Sequence, residues 1–328
     1  VLGTLGSQQV AGLSAVQLGV LSGTQVGAIG TAAVVSLSDK QLGALAVEAI
    51  GQLRGDQLGV MKSTQVVGFT TTQVRALGSE QIGAIGAAAI RGFAASQVRA
   101  LGSDQVAGFV TDQVRVLSVE QVGSLTSGAV AGLNSELMGA LTSVQAAGFG
   151  TQQVRGLSGE QIGALGVGAL RGLGVVAVGA LGSDQVAALK PEQVVGLSAV
   201  QVGSLTSGAV RGIATDVLGT LGSQQVAGLS AVQLGVLSGT QVGAIGAAAI
   251  RGFATAQVRA LGSDQVAGFA TDQVRVLSVE QVGSLTSGAV AGLNAGLMGA
   301  LTSVQAAGFG TQQVRGLSGE QIGALGVG

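Results

Sequence analysis

The stretch Leu117-Ser118-Val119-Glu120-Gln121-Val122-Gly123-Ser124 decides the fold. Ser118 followed three residues later by Gln121 is the pattern of a capping box. In it the hydroxyl accepts the N–H of the third helical residue, and the amide reaches back to the cap's own N–H. Leu117 and Val122 fall at the two positions of a hydrophobic staple, which fixes how the chain enters the helix. Glu120 lies in the first turn, where the helix dipole favours a negative charge. Eight residues thus predict a helix of about one and a half turns followed by a tight turn.

The same octad runs through all 328 residues. A large apolar residue opens each one, as at Leu5, Leu13, Leu21, Ile29, Leu37, Leu45, Leu53, Met61 and Phe69, and the series continues in phase to Leu317 and Leu325. Five residues later comes a second apolar residue, as at Val106, Val114, Val122 and Val130. The consensus is Leu-(Ser/Gly)-x-(acidic or polar)-Gln-Val-x-(small). Asp104, Asp112, Glu120, Glu160, Asp184, Asp264, Asp272, Glu280 and Glu320 take the fourth place. Arg75, Arg91, Arg99, Arg115, Arg155, Arg211, Arg251, Arg275 and Arg315 take the seventh. Acid first and base last suits the helix dipole.

Pro191, the single proline, falls at the first helical position, where a missing N–H costs nothing. The small or Gly residue at place eight predicts a left-handed C-cap. Where Gly takes the second place and Ser the third, as in Leu101-Gly102-Ser103-Asp104, the cap is expected one residue later. A helix this short has no stability alone, because isolated helices below about 12 residues are marginal in water. Neighbouring octads must supply it.

The predicted fold is therefore an all-α solenoid of very short helices, one per octad, over a single continuous array at 1–328. A β-solenoid with Gln and Thr ladders is the alternative, suggested by abundant Val and Thr, scarce Lys and frequent Gly. Against it stand the recurrent caps, Pro191 and Ala87-Ala88-Ala89. With no capping repeat or leader in view, the chain reads as a window of a longer array.

A forty-residue period lies over the octad. Ala replaces Gln at Ala49, Ala89, Ala129, Ala169, Ala209, Ala249 and Ala289. The register slips once, near residues 29–45, since Ala33 and Ala49 are only two octads apart. A mark that stays on one face needs five octads per turn, or five in two turns. The alanines would then form a stripe of small side chains suited to lateral contact with a neighbouring strand. The competing explanation is internal: one corner of the coil is too crowded for Gln.

Composition excludes several functions. Only 9% of residues are charged, against about a quarter in average proteins, and 59 are Gly. There is no Cys, His, Trp or Tyr, and the carboxylates are dispersed at octad spacing. No nucleophile–base pair and no metal site can be assembled from neighbours, so neither catalysis nor a cofactor is expected. A net charge of −1 gives no electrostatic basis for nucleic acid or anionic lipid. Mean hydropathy is high at +0.59, yet a polar or charged residue interrupts nearly every octad. No run approaches the roughly 20 apolar residues of a membrane span. The segment 166–172 faintly suggests a phosphate loop, but it reads as turn glycines in so Gly-rich a chain. The recurrent Gln reads as a cap and a coil-to-coil hydrogen-bonder, and the Phe residues, which stand at Leu places, read as core.

Tandem Leu-(Ser/Thr)-x-x-Gln-Val octads, as between Leu101 and Val122, resemble the long repeat arrays of very large secreted bacterial proteins described as adhesin-like or surface repeat proteins. The resemblance covers essentially the whole chain. It implies secretion to the cell surface and a structural or adhesive role. Implied partners are the protein itself, laterally or end to end, and a cell surface or glycan. It transfers no catalytic residue.

Overall fold

The computed structural model describes residues 6–325, so the opening Leu5 and the last three residues lie outside it. The octad at Leu117 shows how each unit is made. Leu117 (φ −60°, ψ 139°) and Ser118 (φ −75°, ψ 161°) are both extended, and Val119–Ser124 is helical. Two extended residues in succession turn the corner, and the capping box then starts the next helix. The Ser118 hydroxyl accepts the Gln121 N–H at 3.1 Å, and the Gln121 Oε1 accepts the Ser118 N–H at 2.9 Å.

Among the described residues are 39 α-helices of four to six residues, one 3-10 helix at Ala129–Gly132, and no strand. The fold is the all-α repeat solenoid, and the β-solenoid alternative finds no support. Pro191 opens the helix Pro191–Gly196, as its fixed φ predicts. Acids stand in first turns and arginines in last turns, as at Asp112 and Arg115 of Thr111–Val116.

Two local expectations are corrected. No residue of the described chain, Gly included, has a positive φ, so left-handed C-caps play no part. The extended pair at places one and two turns the chain without one. The cap also does not move where Gly precedes Ser: Gly102 remains the N-cap of Ser103–Ala107. The Gln bond to the cap's backbone N–H needs no side chain at that position, and Gln105 makes it to Gly102 at 3.0 Å.

The chain forms two compact units, one up to Leu173 and one from Gly174 onward. In the first, Ser79–Ala84 packs against Gly55–Gly59 on one side and Ser103–Ala107 on the other. In the second, Val279–Ser284 packs in the same way between Thr255–Arg259 and Ser303–Ala306. Each helix therefore stacks on the one three octads away. The Leu and Val rows fill the interior of each coil. Phe69, Phe93, Phe109, Phe149, Phe253 and Phe269 are buried with them, as core.

The coil is smaller than the forty-residue period suggested. Gln side chains bond to carbonyls 28 and 31 residues earlier, and helices touch at three octads, so a turn takes between three and four octads. Five octads are more than one turn and less than two. The forty-residue mark thus does not report the coil.

Glycine at place eight has a different task from the one expected. A Cβ on Gly132 would fall 2.0 Å from the Ser103 carbonyl oxygen, and one on Gly92 would fall 2.1 Å from that of Ser63. Only a residue without Cβ lets the backbones of successive coils touch there. Gly132→Ala should therefore force the coils apart and destabilise the first unit by about 1–3 kcal/mol. A Cβ on Gly168, inside the helix Val167–Gly172, would meet nothing within 4 Å, so Gly168→Ala should stabilise by about 0.5–1 kcal/mol. Denaturant midpoints of the two variants check this: equal effects would mean that close approach is not the reason for Gly132.

Candidate functional site

The most regular polar feature is a ladder of buried glutamines at place five. Each amide does three things at once. In Gln113, Oε1 accepts the Val110 N–H at 2.9 Å, while Nε2 donates to the carbonyls of Ile82 at 2.7 Å and Ile85 at 2.6 Å. Gln121 repeats this with Ser118 at 2.9 Å, Ile90 at 3.0 Å and Phe93 at 2.8 Å. The Phe93 carbonyl belongs to a corner residue between two helices and receives no backbone N–H, so the glutamine is its donor. No buried side-chain polar atom among the described residues lacks a partner. The glutamines are caps and coil-to-coil bonds, as their sequence position indicated. Gln17 and Gln25 make the cap bond at 2.8 Å each.

The seven alanines that replace this glutamine do not line a surface. Ala49, Ala89, Ala129, Ala169, Ala209, Ala249 and Ala289 are all between 1% and 3% exposed. The first four lie in one unit and the last three in the other. The space around each methyl is already filled, so none is left for a neighbouring strand to touch. In either unit the forty-residue step is not a whole number of turns, so successive alanines do not share a side. The lateral-contact stripe expected from sequence is therefore corrected to a buried feature. At Ala129, Ala209 and Ala289 the cap is one-sided: the Ala N–H donates to Thr126, Thr206 and Thr286 at 3.1 Å, and no side chain returns the bond.

The outer faces carry the charge. Places four and seven point to solvent, and their groups are spread along the coils. The Arg54–Asp56 pair, at 2.9 Å, holds the Asp56 carboxyl below its usual range, chiefly through the direct hydrogen bond. Both groups are solvent-exposed, so the pair adds little stability. The Glu280 carboxyl is also lowered, by its own backbone N–H and then by the Ser278 hydroxyl. Among the described residues no group of three or more Asp or Glu comes together to hold a metal ion. Shallow grooves lie at the corners between successive coils. One of about 460 Å³ is lined by Arg99, Thr126, Ser127, Thr151 and Gln152. Another, of about 480 Å³, is lined by Arg75, Ser79, Ser103 and Asp104. Sequence reading missed them because each joins octads from different coils, and the size of the coil was not legible.

Three stretches, 50–86, 161–191 and 239–271, match the family described as the ALTTAQ repeat. They cover under a third of the chain, and they establish it as a repeat protein. No curated protein matches the chain. No helix of the described residues is long and apolar enough to cross a membrane.

Two variants test the ladder. Gln121→Ala should leave the Phe93 carbonyl buried without a partner and remove the return bond to the part-buried Ser118 N–H, a loss of about 1–3 kcal/mol. Gln121→Glu should cost more, because a carboxylate would face two carbonyl oxygens. Amide exchange at Ser118 together with the denaturant midpoint would read both, and a neutral Gln121→Ala would remove the ladder from the account of stability. Ala169→Gln should lower the midpoint by about 1–3 kcal/mol through overpacking. An unchanged midpoint with altered association would instead return Ala169 to the surface.

Proposed function

We propose that this chain is a structural repeat segment, the body of an extracellular bacterial filament or surface fibre, which self-associates and carries out no catalysis. The observation that carries this reading is the repetition of one glutamine rung within each unit, from Gln41 to Gln161 in the first and from Gln225 to Gln321 in the second, broken where Ala takes its place. Repeated rungs hold successive coils at one spacing, and evenly spaced coils suit repeated contact better than recognition of a single substrate. The dispersed charges and the lack of His and Cys fit the same reading. The extracellular setting rests on the resemblance of the octads to secreted surface arrays.

A second reading is an adhesive binding module, favoured by the corner groove lined by Thr126, Ser127, Thr151 and Gln152. Hydroxyls and amides of this kind are suited to the hydroxyls of a glycan. Electron microscopy of material from the producing cells separates the two. Continuous fibres outside the cell, lost on protease treatment of intact cells, are the expected result. Short monodisperse particles would favour the binding module, and protease-resistant material confined to the cell interior would overturn the extracellular setting.

A further inference from the structure

One corner of the first unit carries opposite charges on its two lips. Arg75 and Arg99 end the helices Thr71–Ala76 and Ala95–Ala100, which stack on each other. Glu80 and Asp104 lie in the first turns of the helices that follow, Ser79–Ala84 and Ser103–Ala107, which also stack. The groove between runs through Gly78, Ser79, Gly102 and Ser103, with Arg75 on one side and Asp104 on the other. All four charged side chains are exposed, and none enters an ion pair. Of the corners in this unit, this one has an Arg five residues before an acid on two successive coils. The next coil up has Gly123 and Gly128 at those places, and the next one down has Gly51, with Asp56 already held by Arg54.

We propose that this corner is a self-complementary docking surface for a second copy of the chain. The proposal rests on the self-associating reading above and names its surface. A two-fold axis parallel to the coil axis exchanges left and right lips while keeping each coil level. It brings Arg75 against Glu80 of the second copy and Arg99 against its Asp104, and the same two pairs form in return. The opposite, antiparallel arrangement sets Arg against Arg and acid against acid, so the charges select parallel coils. Successive coils lie about 8–10 Å apart, so the two levels of one copy match the two levels of the other without distortion. Arg suits the task, since its planar fork meets a carboxylate with two parallel hydrogen bonds. Exposed pairs of this kind give weak association that salt screens.

Sedimentation of the full chain tests this, at ~10 mM salt, where the Debye length is about 30 Å, and at ~0.15 M. The wild type should associate at the lower salt and dissociate at the higher. The double variants Arg75→Glu with Arg99→Glu, and Glu80→Arg with Asp104→Arg, should each weaken association by about tenfold or more. Mixed together, one variant presents four acids and the other four arginines, and association should return between them. Recovery on mixing also shows that both variants are folded. If the wild type associates but neither variant changes it, or if mixing restores nothing, this corner is not the surface and self-association survives through another. If the wild type is monomeric at both salts, the corner and the self-associating reading fail together.

Discussion

The structure depends on one constraint: each corner leaves backbone groups that its own helix cannot satisfy. Helices of four to six residues are nearly all terminus, so the unpaired N–H and C=O groups that every helix leaves at its ends dominate their energetics. The place-five glutamine resolves both ends together. Its oxygen serves the N-cap of its own helix, and its nitrogen serves the carbonyls where an earlier helix stops and the corner begins. A shorter side chain would not reach the coil beneath, and a carboxylate has no N–H to donate. The ladder therefore makes the helices mutually dependent, and this is how units with no stability alone hold together.

Close packing follows from the same bond. Nε2 donates at 2.6–3.0 Å in Gln113 and Gln121, so the coil below must come within reach of an amide. At that spacing, some backbone contacts leave no room for a Cβ, and Gly occupies them. The Leu, Phe and Val rows then meet inside the coil. Polar satisfaction, glycine placement and apolar burial are thus consequences of a single stacking distance.

The helices were legible in the sequence and the coil was not, for a physical reason. Ser118, Gln121, Leu117 and Val122 interact within five residues of one another, so their spacing encodes their geometry. The partners of Gln121 lie 28 and 31 residues earlier, at positions whose residue types carry no mark of the pairing. Any place-one or place-six carbonyl would serve. The forty-residue alanine period is the one long-range signal in the sequence, and it points to a larger coil only if a period in composition is also a period in space. Here it is not. Glycine is ambiguous in a similar way. A left-handed turn and a close backbone contact both select it, and only the dihedral angles tell the two apart.

The same indifference to residue type explains how the array tolerates its slip. Between Ala33 and Ala49 three octads of the longer period are missing, yet the ladder continues across: Gln41 reaches Leu13, Gln57 reaches Ile29, Gln65 reaches Leu37 and Gln73 reaches Leu45. Loss of whole octads moves each glutamine to another carbonyl of the same kind at the same height. Loss of any other number of residues would set an amide against a helix side and leave its carbonyls bare. The octad is therefore the unit in which such a chain can lengthen or shorten without disturbing its core. The longer pattern, marked by buried alanines that take the place of a rung, is laid over that register and does not set it.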